Sequence, residues 1–192
     1  MEMFKFIQEK LKITLDRPRY KHTLGVMYTA GCMAMAHGYD INKAMLAGLL
    51  HDCAKCMTHD ERVLLCEKYN ITVSSSELEN TALLHAKAGA ILAKIEYDVD
   101  DKEVLDAIRY HTTGKSNMNM LEKIIYIADY IEPGRDKAPN LDQIRSLAYK
   151  DLDMCMAQIL HDTLEYLCAK GGHIDPTTAE AHEFYRNYRK DI

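Results

Sequence analysis

Apolar residues recur with helical spacing through almost the whole chain, and the breaks between the periodic stretches carry the signals that start and end helices. The segment Thr58-His59-Asp60-Glu61 fits a capping box, and Pro18 follows Asp16 at a position where a first-turn proline costs no hydrogen bond. Pro133-Gly134 and Gly171-Gly172 end two further stretches. No segment is convincing as a strand, so we predict an all-α fold.

The predicted helices follow one another with short connections. They cover residues 4–11, 17–38, 42–55, 58–69, 77–95, 102–111, 118–131, 141–149, 152–170 and 177–188. The length of 192 residues suits one domain, or one domain with a small helical appendage.

Charge and cysteine content exclude several classes of function. The net charge of −5 argues against a general nucleic-acid binder, which needs clustered Lys and Arg. No stretch reaches the roughly 20 apolar residues that span a bilayer, and the segment Met1-Glu2-Met3-Phe4-Lys5 lacks the layout of a secretory signal. The 6 cysteines are mostly scattered singly, which is typical of reduced thiols. We therefore expect a cytoplasmic protein with neither nucleic acid nor membrane as a partner.

Acidic and histidine side chains interrupt apolar helical stretches at two places. His51-Asp52 follows directly on Ala47-Gly48-Leu49-Leu50, and Asp129 stands among the bulky apolar residues of the segment 124–131. Burying an ionised carboxylate costs several kcal/mol unless the group is paired or bound to a metal. We therefore expect a cation beside Asp129, supplied either by a salt bridge or by a metal ion.

Three more histidines, His22, His85 and His111, lie in or at the end of similar helical stretches. Each of them alone is explained as an ordinary core or surface histidine. The dipeptide His-Asp occurs three times in the chain, and only His51-Asp52 ends an apolar run that has no other reason to turn polar. This difference selects His51-Asp52 over the other two pairs.

Two other motifs do not carry a function. Gly114-Lys115-Ser116 is similar to the end of a phosphate-binding loop, but Arg109 stands where the first glycine belongs and no strand precedes it. Cys53 and Cys56 have the spacing of a redox or zinc motif, but the chain has no second cysteine pair and no βαβ context.

In chain order these residues form the pattern His, His-Asp, His, His, Asp, which resembles the HD superfamily of metal-dependent hydrolases. Three segments make the likeness closer and resemble the YqeK family, the bacterial symmetrical diadenosine tetraphosphate hydrolases. They are Ala47-Gly48-Leu49-Leu50-His51-Asp52-Cys53-Ala54-Lys55, Arg109-Tyr110-His111-Thr112-Thr113-Gly114 and Ile127-Ala128-Asp129-Tyr130-Ile131-Glu132-Pro133-Gly134-Arg135.

The resemblance implies one HD-type helical bundle over residues 1–192, with a motif core of about 18–135 and additional C-terminal helices. It also implies a transition metal, expected to be iron, with manganese, cobalt and zinc remaining open. The implied metal ligands are His22, His51, Asp52 and Asp129. His85 and His111 would face the same cavity and contact phosphates; in some superfamily members such histidines hold a second metal. The implied substrate is diadenosine tetraphosphate, split into two ADP molecules, and a homodimer is left open.

The expected chemistry uses a metal-activated water that attacks a phosphoryl group. Asp52 would orient or deprotonate that water, and His85 or His111 would protonate the departing diphosphate or stabilise its charge. We expect Arg19, Lys55 and Arg135 to bind the polyphosphate, with Lys115 in reserve.

Three alternatives to this function stay open. The first keeps the metal site and acts on mononucleotides or other phosphoesters. The second uses two irons and oxygen. The third is a nucleotide-binding module that retains the fold without turnover.

Overall fold

The computed structural model describes residues 2–80, 82–171 and 174–189, and within these ranges it contains helices and turns but no strand. The prediction of an all-α fold is confirmed. The helices are α1 (Glu2–Thr14), α2 (Arg17–Ala36), α3 (Ile41–Leu50), α4 (His59–Lys68), α5 (Ser75–Glu79), α6 (His85–Tyr97), α7 (Lys102–Tyr110), α8 (Met120–Ile131), α9 (Leu141–Ala148), α10 (Leu152–Ala169) and α11 (Pro176–Tyr185), followed by a short 3-10 turn at Arg186–Tyr188.

The predicted helix starts are built as the sequence indicates. Asp16 caps α2 by accepting the backbone N–H of Arg19 at 2.8 Å, and Pro18 occupies the first turn of that helix. Thr58 and Glu61 form the expected capping box at the start of α4, each side chain accepting the backbone N–H of the other residue. These caps satisfy donors that the first turn of a helix otherwise leaves unpaired.

The predicted helix over 77–95 is wrong, because the chain breaks there into α5 and α6. The Asn80 side chain accepts the backbone N–H of Ala82 at 3.1 Å, and its carbonyl accepts the N–H of Leu83 at 3.0 Å. Such local bonds give the backbone an alternative to the helical ladder. The break places His85 at the start of α6 instead of within a long helix.

The predicted helix over 42–55 also ends earlier than expected, at Leu50. Residues 51–57 form successive turns, in which the N–H of Cys53 bonds to the carbonyl of Leu50 and that of Lys55 to the carbonyl of Asp52. His51 and Asp52 therefore stand at the end of α3, where their side chains can reach beyond the helix.

The centre of the molecule is formed by α2, α3, α7 and α8, which pack on one another through fully buried side chains such as Val26, Leu50, Ile108 and Ile125. Gly48 lets α3 approach α2 closely, since a Cβ there would lie 3.0 Å from the Cα of Met27. On the outer side of α8, α10 packs against both α8 and α9, and α11 packs against α10. Within the described ranges no helix combines the length and apolarity needed to cross a membrane.

Candidate metal centre

Six histidine and aspartate side chains from five helices meet at one place in the helical core. They are His22 of α2, His51 and Asp52 at the end of α3, His85 at the start of α6, His111 at the end of α7, and Asp129 of α8. All six were selected from the sequence, and the fold brings all six together. Four of them are buried, whereas the side chains of His22 and Asp129 keep 11% and 23% of their surface exposed.

One group of donors surrounds a point between α2, α3 and α8. His22 Nε2 lies 3.0 Å from an oxygen of Asp129 and 3.3 Å from His51 Nε2, and Asp52 Oδ2 lies 3.4 Å from His51 Nε2. Donors that bind a common ion at about 2.1 Å are separated by roughly 3 to 3.5 Å. The spacing of these four side chains therefore suits one bound cation.

The second oxygen of Asp52 faces the other two histidines. Oδ1 lies 3.0 Å from His85 Nε2 and 3.7 Å from His111 Nε2, and the two ring nitrogens are 3.0 Å apart. The hydroxyl of Thr112 is 3.2 Å from His111 Nε2. Asp52 thus links both halves of the site with its two oxygens.

The backbone fixes which nitrogen of each buried ring faces the site. The Nδ1 atoms of His51, His85 and His111 lie 2.7, 2.6 and 2.7 Å from the carbonyl oxygens three residues earlier in the chain. A carbonyl oxygen can only accept, so Nδ1 carries the hydrogen, and in a neutral ring Nε2 then directs its lone pair into the site. This is the orientation that imidazole adopts as a metal ligand.

The electrostatics of the site favour ionised carboxyls and a neutral ring at His85. Burial would raise the pKa of Asp52, but the neighbouring His51, His111 and His85 hold it well below its usual range. Burial also opposes ionisation of Asp129, yet His22 and then His51 and Arg135 lower the pKa of that carboxyl. Burial lowers the pKa of His85 to about 4, so its ring is neutral at neutral pH.

These observations fit a metal ion. Nε2 of His85 and Nε2 of His111 lie only 3.0 Å apart, so two neutral rings with Nδ1–H would bring their lone pairs together there, and the carboxylates add negative charge. Asp52 Oδ1 is buried and accepts no hydrogen bond from the described residues. Ligand atoms of His22, His51 and Asp129 lie within 4.8 Å of one another, and so do those of His51, Asp52 and His111. A cation at the centre would relieve the repulsion and satisfy the orphaned oxygen.

The three cationic side chains that were predicted to bind the polyphosphate border the site. Arg19 donates to Asp52 Oδ2 at 2.6 Å, and Lys55 Nζ lies 3.1 Å from His85 Nε2. Arg135 donates to both the side chain and the backbone carbonyl of Asp129. Arg19, Lys55 and Arg135 keep 29%, 28% and 41% of their side chains exposed, so each can still reach a ligand. Lys115, named in reserve, instead pairs with Glu122 at 3.0 Å.

A cavity of about 470 Å³ opens beside Asp129 and His111. Its volume lies within the range of about 300–1,000 Å³ typical of small-molecule sites. The residues that line it include Thr112, Tyr126, Tyr130, Arg135, Lys137 and Thr163. Of these the sequence singled out only Arg135 as a binding residue. Tyr126 and Tyr130 are spaced one helical turn apart on the helix of Asp129, and this spacing could have predicted them from the sequence. Nothing in the sequence around Thr163 of α10 indicates a place in the cavity.

The other two His-Asp pairs lie outside this centre. His59 and Asp60 begin α4, and Asp60 is exposed. His161 pairs with Glu165 one turn later in α10, while the buried Asp162 accepts a hydrogen bond from Gln158.

Comparison with known proteins places these residues in a wider context. The family model described as HD domain matches residues 19–134. A symmetrical bis(5'-nucleosyl)-tetraphosphatase of Bacillus subtilis strain 168 is 40% identical over 168 residues, which cover 88% of this chain and 89% of the relative. A protein of the same name from Staphylococcus aureus is 40% identical, covering 92% of this chain and 91% of the relative.

A solved structure supports the same comparison. It is the crystal structure of a "predicted HD superfamily hydrolase involved in NAD metabolism" from Clostridium acetobutylicum. This chain resembles it with a TM-score of 0.93 and 40% sequence identity, over 97% of this chain and 98% of the other. The likeness therefore extends through the C-terminal helices and is not confined to residues 19–134.

Proposed function

The chain belongs to the HD domain family, and from this premise we propose that it is a metal-dependent hydrolase that cleaves diadenosine tetraphosphate into two molecules of ADP. The observation that carries the proposal is the convergence of four histidines and two aspartates around one point, beside a cavity of about 470 Å³. The proposed substrate is inferred from the names of the two bacterial relatives.

We propose that His22, His51, Asp52 and Asp129 hold the metal. Imidazole and carboxylate donors suit iron, which we propose as the resident metal, and they also suit manganese, cobalt or zinc. When bound, such an ion lowers the pKa of a coordinated water and polarises a phosphoryl oxygen.

Asp52 is proposed to position the attacking water. Its Oδ1 is buried and free of hydrogen bonds from the described residues, so it can accept a proton from a water placed between the two halves of the site. The water oxygen would bond to one of the two central phosphorus atoms, and the oxygen that bridges them would leave with the other ADP. His85 and His111 face the same space as Oδ1 and would contact the phosphates there.

The polyphosphate is proposed to lie along the cations at the mouth of the site. Arg19 and Lys55 flank Asp52 on one side, and Arg135 borders Asp129 on the other. Partly exposed cations can neutralise phosphate oxygens and the charge of the departing diphosphate. We place one nucleoside half in the cavity of about 470 Å³, against Tyr126 and Tyr130.

We also propose a domain organisation and a cytoplasmic location. We propose that residues 1–192 act as one domain, because α10 packs against α8, which carries Asp129. The described cysteines are free thiols, which accords with a cytoplasmic enzyme.

The direct test is an assay of the purified protein with diadenosine tetraphosphate in the presence of iron, manganese or cobalt, with chromatography of the products. ADP as sole product is expected. Formation of AMP and ATP would mean asymmetric cleavage. Release of orthophosphate from mononucleotides at a higher rate would favour the alternative phosphoesterase.

A matched pair of variants tests the site itself. Asp52→Ala removes the shared carboxylate and should reduce turnover at least about 100-fold, the lower range for loss of general base catalysis. Asp60→Ala changes the aspartate of another His-Asp pair, which is exposed on α4, and should retain wild-type activity. Both proteins should show the same helical circular dichroism. Full turnover by folded Asp52→Ala would defeat the proposed role.

A further inference from the structure

Glu132, just beyond the end of α8, is a buried carboxylate without a role in the function described so far. It is 5% exposed and uses both oxygens. Oε1 lies 3.0 Å from His22 Nδ1, and Oε2 accepts the backbone N–H of Gly134 at 2.7 Å. Among the residues that the structure describes, His22 is the one basic side chain within ion-pair distance of Glu132.

Two glycines leave room for this carboxylate and for nothing larger. A Cβ on Gly25 would lie 2.5 Å from Glu132 Oε2, and a Cβ on Gly134 would lie 2.8 Å from Oε1. Gly25 is one turn of α2 away from His22, and Gly134 follows Glu132 in the next turn. Two separate segments of backbone therefore hold the carboxylate against the outer edge of the His22 ring.

A carboxylate that contacts a ring nitrogen at 3.0 Å selects the tautomer of the ring. A carboxylate oxygen at this distance accepts, so His22 Nδ1 carries the hydrogen, and in the neutral ring Nε2 is left with its lone pair. That Nε2 is the atom that lies 3.0 Å from Asp129 and 3.3 Å from His51. The other three histidines of the site obtain the same orientation from backbone carbonyls, whereas His22 obtains it from a charged side chain.

We propose that Glu132 is a positioning residue that orients His22 for the metal and makes its ring a stronger donor. This inference rests on the proposed metal site and adds a residue to it. Partners in contact with ligands in this way typically change metal affinity about 10- to 100-fold when they are removed.

The turn that carries Glu132 is held by backbone hydrogen bonds in addition to the one that its side chain accepts from Gly134. Arg145 of α9 donates to the backbone carbonyls of Ile131, Glu132 and Arg135 at 3.0, 3.3 and 2.8 Å. The N–H of Glu132 bonds to the carbonyl of Ala128, which ends α8. A change of the carboxylate alone should therefore leave the fold in place.

The test compares Glu132→Gln with Glu122→Gln. The amide that replaces the carboxylate can accept at only one of its two ends. In one orientation the N–H of Gly134 loses its acceptor. In the other, an N–H faces His22 Nδ1 and favours the tautomer with hydrogen on Nε2. Glu122 is a fully buried carboxylate at the other end of α8 that accepts the backbone N–H of Asn119 at 2.7 Å, remote from the metal centre. It provides the same substitution at the opposite end of α8.

Metal affinity is the readout, measured on metal-free protein titrated with Co²⁺ against a chelator of known affinity. We expect the Kd of Glu132→Gln to rise about 10- to 100-fold and that of Glu122→Gln to stay within about threefold of wild type. An unchanged Kd in Glu132→Gln would overturn the inference. An equal rise in both variants would overturn it too, because it would show a general loss of structure.

Gly25→Ala provides a second route if Glu132→Gln does not fold. The added methyl group clashes with Oε2 and displaces the carboxylate while leaving its charge, and alanine favours the helix more than glycine does. A similar rise in the Kd for Co²⁺ would support the inference, and wild-type affinity would overturn it. A wild-type protein that takes up no cobalt would defeat the proposed metal site and this inference with it. If the wild-type protein takes up Co²⁺ and hydrolyses diadenosine tetraphosphate, and Glu132→Gln has the same Kd for Co²⁺, only this inference is defeated.

Discussion

The close approach of α2 and α3 at Gly48 gives a prediction whose size can be worked out from the structure. In Gly48→Ala the new Cβ would lie 3.0 Å from the Cα of Met27, 3.2 Å from its nitrogen and 3.2 Å from the carbonyl oxygen of Val26. All three atoms belong to backbone, so the helices themselves must separate. Overpacking of this kind costs about 1–3 kcal/mol, and the gain in helix propensity returns about 1 kcal/mol.

Because the contacts are with rigid backbone, we take the upper half of that range, about 2–3 kcal/mol, so the net expectation is a loss of about 1–2 kcal/mol in the free energy of unfolding, or about 2–8 °C in Tm for a chain of this size. The same displacement reaches the site, because the carbonyl of Gly48 accepts from His51 Nδ1 at 2.7 Å and α2 carries His22. We therefore also expect weaker metal binding. Urea unfolding followed by circular dichroism measures the first effect, and Co²⁺ titration measures the second.

Gly31→Ala is the matched control in the same pair of helices. Its Cβ would lie 2.9 Å from Cγ of Met45, the middle of a flexible side chain that can move aside. Both substitutions gain the same helix propensity, so the difference between them isolates the effect of a rigid neighbour. Gly31→Ala should remain within about 1 kcal/mol of wild type. Wild-type stability in Gly48→Ala, or an equal loss in Gly31→Ala, would refute the reasoning.

Three further predictions concern metal, thiols and acid. Removing the metal with a chelator should lower Tm by about 5–10 °C if the metal had been present at about 100 times its Kd, and no change would contradict a bound metal. Brief treatment with iodoacetamide should label the exposed Cys32 and spare Cys155, since burial raises the pKa of Cys155 to about 12. Mass spectrometry measures the labelling, and faster labelling of Cys155 than of Cys32 would contradict this packing. The hydrogen bond from Lys43 lowers the pKa of Asp101, so their pairing stabilises the fold above the ordinary aspartate pKa and is lost as pH falls through the lowered value. In Lys43→Met the pKa of Asp101, followed by NMR, should rise; an unmoved pKa would exclude this cause.

The helical fold was predictable because its start signals act locally. Asp16, Pro18 and the capping box at Thr58 each work through residues within one turn, and the structure uses them as expected. The break at Asn80 was missed because the apolar pattern continues across it, while the decisive interaction is a side chain bonding to its own loop.

The metal centre was predictable for a different reason. His51, Asp52 and Asp129 are polar side chains in apolar helical stretches, which is costly unless they meet a partner. The cavity walls were not predictable in this way. Thr163 reaches the cavity only because α10 packs against α8, and nothing in its local sequence distinguishes it from a surface threonine.

Arg145 of α9 connects a C-terminal helix to the candidate metal centre through the backbone of the turn after α8. Its guanidinium donates hydrogen bonds to three backbone carbonyls in the segment that follows Asp129 and carries Arg135. Arg145 itself lies outside residues 19–134, the range that the HD domain model matches. We expect a tilt of α9 to move that turn through these hydrogen bonds, although α9 contacts none of the proposed metal ligands through Arg145. We therefore expect a substitution in α9 that displaces Arg145 to change the positions of Asp129 and Arg135 although it contacts neither side chain.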